Sequence, residues 1–352
     1  MSGGVDSAVA AALCARSGAR VLGLMLRLWS EPEAQSGNRC CTPDAVDDAR
    51  AVADLLGIPF QVFDAREVFQ QHVVEPFVAA SAAGSTLNPC LACNRHVRFG
   101  TLLRHAVGLG ADTLATGHYA RVLRDREGVW RLLRGVDPTR DQSYVLHVLG
   151  QAELARALFP VGEIAKARVR ELARELGLPV AARPDSTDLC WVGDGGVDGF
   201  LERRLGAGAL PPGPILDGAG RRLGTHRGLA RYTVGQRRGL GLSAGRRMYV
   251  GRLDTERNAL IVVPEDALGA REVRASDWHW VAGAPAGPAP WRVSAQIRYR
   301  APAAAAWLRP TADGMLAVFD HEQRAPTPGQ GLVAYAGETC LGGGLVVGPG
   351  GA

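Results

Sequence analysis

Seven cysteines, at positions 14, 40, 41, 90, 93, 190 and 340, are the first residues in this 352-residue chain whose types and spacing could do chemistry. They form an odd set, and the N-terminus lacks the basic head and apolar core of a secretion signal. A reducing, cytoplasmic setting is therefore expected, and there clustered cysteines point to metal binding or catalysis rather than to structural disulfides. Cys90-x-x-Cys93 lies in LNPCLACNRHVRFG, just ahead of a helical pattern, and Cys190 lies in RPDSTDLCWVG. A lone C-x-x-C suits a zinc half-site, a redox pair or an iron–sulfur half-site. The sequence has no second C-x-x-C and no histidine pair at zinc spacing, which lowers structural zinc. Cys40 and Cys41 could add ligands, although adjacent cysteines fit poorly around one tetrahedral ion. A helix N-terminus and the neighbouring Arg95 and Arg98 are expected to favour the Cys93 thiolate. Cys14 and Cys340 read as buried helix and strand residues.

The second chemical signal is SGGVDS at residues 2–7, running into the Ala/Val pattern of a helix. Gly3 and Gly4 permit a tight turn whose backbone amides can approach an anion, Ser2 and Ser7 add hydroxyl donors, and Val5 begins the helix with its positive end toward the turn. This is a phosphate cradle, but not a Walker A loop, which needs Gly-Lys-Ser/Thr. The only lysine, Lys166, is far along the chain. Asp6 would repel phosphate unless Mg²⁺ stood between them, so the loop suggests ATP bound with metal. A generic Gly-Gly turn with Ser or Asp capping the helix is the plainer alternative, and the complete hexapeptide argues against it.

These residues must be held by folded domains. At roughly 150 residues per domain the length suits two or three, and 47% hydrophobic residues can build their cores. No apolar run approaches the roughly 18 residues of a membrane helix. The formal charge of +5 is modest, yet all but one of the 40 basic residues are arginine, whose planar fork grips phosphates and stacks on bases. Nucleic acid is one partner consistent with that, and genome-wide composition bias is the other explanation. Helix and strand patterns alternate through the first 200 residues: Val9, Ala12 and Leu13 share one helical face, Val46, Ala49, Ala53 and Leu56 a second, and Val169, Leu172, Ala173 and Leu176 a third. That alternation implies an α/β, doubly wound parallel sheet. Residues 201–264 are rich in Gly, Pro and Arg and read as a small central domain. Short Val/Trp/Leu runs over 265–352 read as an antiparallel β-barrel.

Nine collinear segments, SGGVDS, NPCLACNRHVRFG, ATGHYA, LLRGVDPTRDQSYVL, LFPVGEIAKARVRELA, DSTDLC, TVGQRRGLGL, IRYR and TPGQ with GETCLGGG, are spread over nearly the whole length of the chain. In this combination the sequence resembles the bacterial tRNA-specific 2-thiouridylase family of the PP-loop ATP pyrophosphatases. The resemblance implies ATP-dependent replacement of the C2 oxygen of the tRNA wobble uridine by sulfur, with adenylation of that oxygen and release of AMP and pyrophosphate. Carried over by position, residues 2–7 hold the phosphates, and Leu26 and Gly117 contact the nucleoside. Cys190 is the persulfide carrier, and Cys93 frees its sulfur and can form a transient disulfide with it. Asn88, Pro89 and Cys90 meet the target base, while His118, Arg140, Asp141, Gln142, Arg298, Tyr299 and Gln330 contact tRNA. A sulfur-donor protein, either a cysteine desulfurase or a relay carrier, is the implied second partner, and no membrane partner is implied.

The chain departs from the family pattern in two places. Position 90 is cysteine where many relatives have aspartate, which removes a candidate acid/base and leaves Cys90, Cys93 and Cys190 as three thiolates that could hold a [4Fe–4S] cluster with one open iron. The rival is a cluster-free persulfide route with Cys90 as a bystander. Relatives also place a short apolar strand directly before the loop, inside the sheet. Here Met1 stands at that strand's end, which reads as a start assigned too late, and a sheet without that interior strand is expected. Two other functions share parts of the pattern. An amidotransferase-type synthetase would have the loop but no need of Cys93 with Cys190. An RNA-binding protein with a redox cysteine pair would bind tRNA regardless of ATP.

Overall fold

Small apolar side chains let the first helix approach its neighbours on several sides at once. In α1 (Val5–Arg16) Val5, Ala8, Val9, Ala10, Ala11 and Ala12 are all buried. The computed structural model describes residues 1–29, 42–185, 189–193, 195–206, 208, 210–242 and 245–349, so Cys40 and Cys41 lie outside the described residues. Strand β1 (Gly23–Arg27) follows, then α2 (Pro43–Leu55), which starts where the Thr42 side chain accepts from the Ala45 amide and Pro43 pre-sets the first turn. Strand β2 (Phe60–Asp64) pairs in parallel with β1, Gly23 opposite Phe60 through Arg27 opposite Asp64.

Two long helical stretches come next, and each contains a π-helical segment. The first runs through α3 (Arg66–Phe69), the π turn Gln70–Val74 and α4 (Glu75–Ala82). The second runs through α5 (Pro89–Ala92), the π stretch Cys93–Leu102 and α6 (Leu103–Gly108). Strand β3 (Leu114–Ala115) precedes the antiparallel hairpin β4 (Ala120–Arg124) and β5 (Trp130–Arg134). After α7 (Ser143–Leu146) and α8 (Gln151–Leu154), β6 (Ala157–Leu158) pairs in parallel with β3, and α9 (Lys166–Glu175) packs against α1 through Val169 and Ala173. No ladder among the described residues joins the β1–β2 pair to the β3–β6 pair. The Met1 amine donates to the Leu24 carbonyl beside β1, and the Met1 side chain packs against the apolar clusters of both α1 and α2.

Helix α10 (Gly196–Leu205) leads into a four-stranded sheet in the order β8 (Arg222–His226), β7 (Gly213–Asp217), β10 (Ala259–Val263), β9 (Tyr249–Asp254), with β7 and β10 parallel. The last domain is a closed antiparallel barrel of β11 (Gly269–Trp280), β12 (Trp291–Gln296), β13 (Ala304–Thr311), β14 (Gly314–Arg324), β15 (Gly331–Ala336) and β16 (Thr339–Pro349), closed by pairing of β11 with β16. Its inward residues, among them Val273, Val293, Leu308, Phe319 and Leu332, form their own core. The architecture is thus the expected α/β class with a parallel N-terminal sheet and a C-terminal barrel.

The hairpin β4–β5 departs from the alternating pattern read in the sequence. Its edge continues the barrel sheet, because β16 pairs with β5 at Thr339 opposite Leu133 and Cys340 opposite Leu132. Cys340 is consequently a buried strand residue. A second junction joins the barrel to the chain just ahead of α5. The Thr86 amide donates to the Pro328 carbonyl at 2.9 Å, the Asn88 amide to the Gly329 carbonyl at 3.3 Å, and the Gln330 side-chain amide to the Thr86 carbonyl at 2.7 Å. Gly329 has φ of +89°, and a Cβ there would stand 2.6 Å from Ser85 Oγ and 2.8 Å from the Thr86 carbonyl carbon. Gly329→Ala should therefore cost about 2–4 kcal/mol from backbone strain and overpacking together. Denaturant unfolding at fixed pH would show this as a lowered midpoint, with little change in far-UV circular dichroism of the folded state.

Candidate active site

The turn before α1 combines a constrained backbone with uncompensated donors. Gly3 has φ of +69° and lies so close to α2 that a Cβ would meet the Ala45 carbonyl oxygen at 2.7 Å. The first backbone bond of α1 runs from the Ala8 amide to the Gly4 carbonyl, so the amides of Val5, Asp6 and Ser7 lack an intrahelical acceptor. Gly4 occupies the cap position with no side-chain cap, which leaves this positive helix end open to an anion. Ser7 Oγ accepts from the Ser2 amide at 3.1 Å and donates to the Gly4 carbonyl at 3.0 Å, which folds the turn on itself. Arg183 pins it from outside, donating to the Gly3 carbonyl at 2.9 Å while also pairing with Asp48. Gly117 packs under it, where an added Cβ would fall 2.7 Å from both the Asp6 carbonyl carbon and the Ser7 amide nitrogen.

Lys166, set aside in the sequence because of its distance along the chain, stands at this loop. Its ammonium lies 2.6 Å from Asp6 Oδ1 and 2.9 Å from Asp185 Oδ1. Tyr119 Oη donates to the same Asp6 oxygen at 2.7 Å, and Asp185 also binds Arg170 at 2.6 Å and Arg140 at 2.9 Å. Burial raises the Asp185 carboxyl, but the hydrogen bond and charge of Lys166, with Arg170 and Arg140, outweigh it and hold the group below its ordinary range. Burial first, then the Asp6 charge, drives the Tyr119 phenol far upward, so it remains a donor. Sequence spacing carries no signal for this cluster, whose members come from α1, the turn after β3, the segment around Arg140, α9 and the segment ahead of Cys190.

The cysteines form the second part of the site. Asn88 caps α5, its side chain accepting from the Cys90 amide at 3.1 Å. Cys93 is therefore not at a helix N-terminus, as the sequence suggested, but a turn inside a continuous helix, where the α-helical register gives way to the π-helical one. π-helical segments often occur at functional positions. Cys93 is buried in an apolar cluster that also includes Leu26, Leu91 and Tyr144, and Cys190 and Tyr299 pack against that cluster. The Cys190 backbone is anchored by its neighbour Trp191, whose buried ring meets Phe69, Phe77 and Phe200 edge-on. Cys90 is exposed on α5, with neighbouring protein that partly desolvates its thiol. That desolvation first, and the Cys93 thiol second, push its thiol up to about 11.

Arg98, on the same π stretch as Cys93, contributes a positive charge felt at the Met1 amine, Cys90 and His118. His118 follows Gly117 directly, and its Nδ1 lies 2.7 Å from Thr116 Oγ1. Desolvation, then the Arg98 charge, lower His118 to about 3, so it is a neutral imidazole at pH 7.

The remaining sequence-derived residues have clear places. Arg140 is held by Asp185, Asp141 by Arg134 and Ser143, and the Gln142 side chain accepts from the Tyr119 amide at 3.0 Å, steadying the turn that carries His118. The Tyr299 ring lies 6.1 Å from that of Tyr144, and Arg298 is near enough to Tyr144 to act on it electrostatically. Gln330 is in the junction at Thr86. Among the described residues no group of three or more His, Cys, Asp or Glu side chains gathers as a metal-binding set. Cys90, Cys93 and Cys190, the expected [4Fe–4S] ligands, are thus not gathered as such a set in this structure.

Comparison with known proteins identifies the family of the chain. Residues 1–194 match the family description tRNA methyl transferase HUP domain, 198–264 the tRNA methyl transferase PRC-barrel domain, and 270–346 the aminomethyltransferase beta-barrel domain. The tRNA-specific 2-thiouridylase MnmA of Moorella thermoacetica is 47% identical over 98% of this chain and 98% of its own length. The protein of the same name from Chloroflexus aggregans is 47% identical over 99% of this chain and 97% of its own. Among solved structures, NMN synthetase from Francisella tularensis is 19% identical with a TM-score of 0.33, covering 59% of this chain and 71% of that one. A nucleotide-binding HUP domain followed by a PRC-barrel and a β-barrel defines the class. Within that class, the chain belongs to the tRNA-specific 2-thiouridylase family, MnmA/TrmU.

Two measurements probe this geometry. Gly117→Ala should displace the Asp6–Ser7 backbone and weaken ATP binding at least about tenfold, roughly 1.4 kcal/mol, as read by titration calorimetry. His147, buried and lowered by desolvation to about 4, joins His118 as a histidine that stays neutral in the folded state. Unfolded histidine titrates near 6.5, so below that pH the unfolded chain binds more protons and stability falls with acidification toward the two folded values. The denaturant midpoint should drop between pH 7 and pH 5, and less steeply in His118→Gln.

Proposed function

We propose that this protein uses ATP to replace the C2 oxygen of a tRNA wobble uridine with sulfur; its relatives carry the name tRNA-specific 2-thiouridylase. The observation that carries the reading is the turn before α1, where the amides of Val5, Asp6 and Ser7 have no intrahelical acceptor, in one domain with Cys93 and Cys190, which meet in the apolar cluster that also holds Leu26. In this reading the nucleotide's phosphates dock on residues 2–7 and its nucleoside near Leu26 and Gly117. The uridine O2 attacks the α-phosphorus, pyrophosphate leaves, and the positive end of α1 takes up the charge that develops. Asp6 is the loop carboxylate that would hold Mg²⁺, a hard cation that takes one or two carboxylates together with phosphate oxygens and neutralises their charge.

Sulfur then enters from a persulfide on Cys190, loaded by a sulfur-donor protein. Cys93 Sγ attacks Cys190 Sγ and expels hydrosulfide. Hydrosulfide adds to C2, AMP departs with the former O2, and the Cys93–Cys190 disulfide left behind is reduced by an external thiol. In the resting structure Cys93 and Cys190 share one apolar cluster, which supports such a meeting. Residues 88–90, His118, 140–142, Arg298, Tyr299 and Gln330 would contact tRNA, with Tyr299 offering a stacking surface. Residues 1–200 would form the catalytic domain, 201–264 the central domain and 265–352 the tRNA-contacting barrel. A loop that splits ATP, paired with two cysteines, favours thiolation over the methyl transfer in the family descriptions. No helix among the described residues is long and apolar enough to cross a membrane.

The test is nucleoside mass spectrometry of unmodified tRNA incubated anaerobically with the protein, Mg-ATP and a persulfide source. ATP-dependent 2-thiouridine is expected, falling more than about 100-fold in Cys93→Ser and Cys190→Ser while pyrophosphate release in Cys190→Ser persists. Turnover that survives both cysteine changes would instead indicate a synthetase. Binding of tRNA that ignores ATP, with no thiouridine formed, would indicate an RNA-binding redox protein.

A further inference from the structure

Lys166 breaks two local rules at once. It is the first residue of α9, where a cation faces the positive end of the helix dipole, and its side chain is only 9% exposed. Natural proteins break such local rules chiefly at functional positions. The Lys166 amide is held by Asp137 Oδ2 at 3.0 Å, so α9 has its own carboxylate cap and does not need the ammonium there. The side chain brings the N-terminus of α9 to the N-terminus of α1, because Asp6 lies in the first turn of α1 and its carboxylate is 2.6 Å from Nζ. Two positive helix ends and one ammonium therefore converge on the loop.

The type of cation matters here. Asp6 Oδ1 also accepts from Tyr119, and Asp185 Oδ1 also accepts from Arg170, so each acceptor already has a second partner. An ammonium is a compact point charge with three donors, and its single nitrogen can pass from a carboxylate to a phosphate by a small rotation of a flexible stem. A guanidinium, with its rigid planar fork, would need both acceptors rearranged. This is the one basic position in the chain that is not arginine.

We propose that Lys166 is the phosphate-chain ligand of this loop: it neutralises Asp6 in the empty site and transfers to the β- and γ-phosphates when nucleotide enters. Asp6 is thereby released to the metal, and Asp185 keeps the stem in reach. The loop thus has a lysine after all, delivered by α9 rather than by the Gly-rich turn. The inference rests on the ATP-binding reading above and deepens it.

The test is equilibrium binding of ATP, inorganic pyrophosphate and AMP, each with Mg²⁺, to the full chain and to its variants. In Lys166→Met, ATP and pyrophosphate affinities should fall at least tenfold while AMP affinity stays within twofold. Lys166→Arg should recover part of the loss. The double variant Lys166→Met with Asp185→Asn removes one of the two carboxylates that Lys166 neutralises, and the tenfold loss should persist in it. Equal weakening of all three ligands would overturn the proposal in favour of a structural role. Restoration of ATP binding in the double variant would overturn it in favour of simple charge neutralisation. If the unmodified chain binds none of the three, the ATP reading itself fails, an outcome distinct from both.

Discussion

The carboxylate of Asp6 sits in the first turn of a helix whose open amides are arranged for anions, and the organisation of the catalytic domain follows from keeping that charge in place. A half-buried carboxylate needs hydrogen-bond donors in place of the water it loses. Here the Tyr119 phenol and the Lys166 ammonium share its Oδ1. Lys166 in turn requires Asp185, and Asp185 draws in Arg170 and Arg140. One charge on the loop thus fixes α9, the turn after β3 and the segment leading to Cys190. The apolar packing of α1 against α9 through Val5, Val9, Val169 and Ala173 holds the two helix ends at contact distance.

The cysteine end depends on the barrel in a comparable way. The segment that caps α5 has no sheet of its own. Its backbone is gripped by residues 328–330, so the orientation of Asn88, Cys90 and Cys93 is referred to the barrel as well as to the HUP domain. The Tyr144 hydroxyl, which donates to the Gly331 carbonyl at 2.8 Å, ties the cluster around Cys93 to the same turn. The helix that carries Cys93 is thus tied to the barrel by main-chain hydrogen bonds at Thr86 and Asn88 and by the side chains of Gln330 and Tyr144.

Much of this could be read from the sequence, because it was written locally. The Gly3–Gly4 turn, the Ala-rich α1, the Val169 and Ala173 stripe of α9 and the alternating strands of the barrel are patterns of adjacent residues, and each forms the element it implies. What the sequence hid was set by long-range placement. Lys166 is 160 positions from Asp6, and only the α1–α9 packing makes them partners. The hairpin β4–β5 reads as an ordinary pair of strands, and nothing in Ala120–Arg134 announces that its partner is β16. The π-helical stretch at Cys93 likewise has no composition signal, and it moved that cysteine from the expected helix start into the helix interior. Asp141 and Gln142, polar and next to Arg140, look exposed in sequence but are engaged by Arg134, Ser143 and Tyr119.

Strand β16 serves two sheets, closing the barrel against β11 and extending through Thr339 and Cys340 onto the hairpin of the catalytic domain. This gives assembly an order. Until the chain has been made as far as Thr339, β5 presents an unpaired edge and the barrel remains open, so both domains carry a templating edge of the kind that invites mispairing. The loop-closure entropy of bringing Leu132 to Cys340, more than 200 residues later, must be met before either edge is protected. Pairing of β16 therefore completes both sheets together.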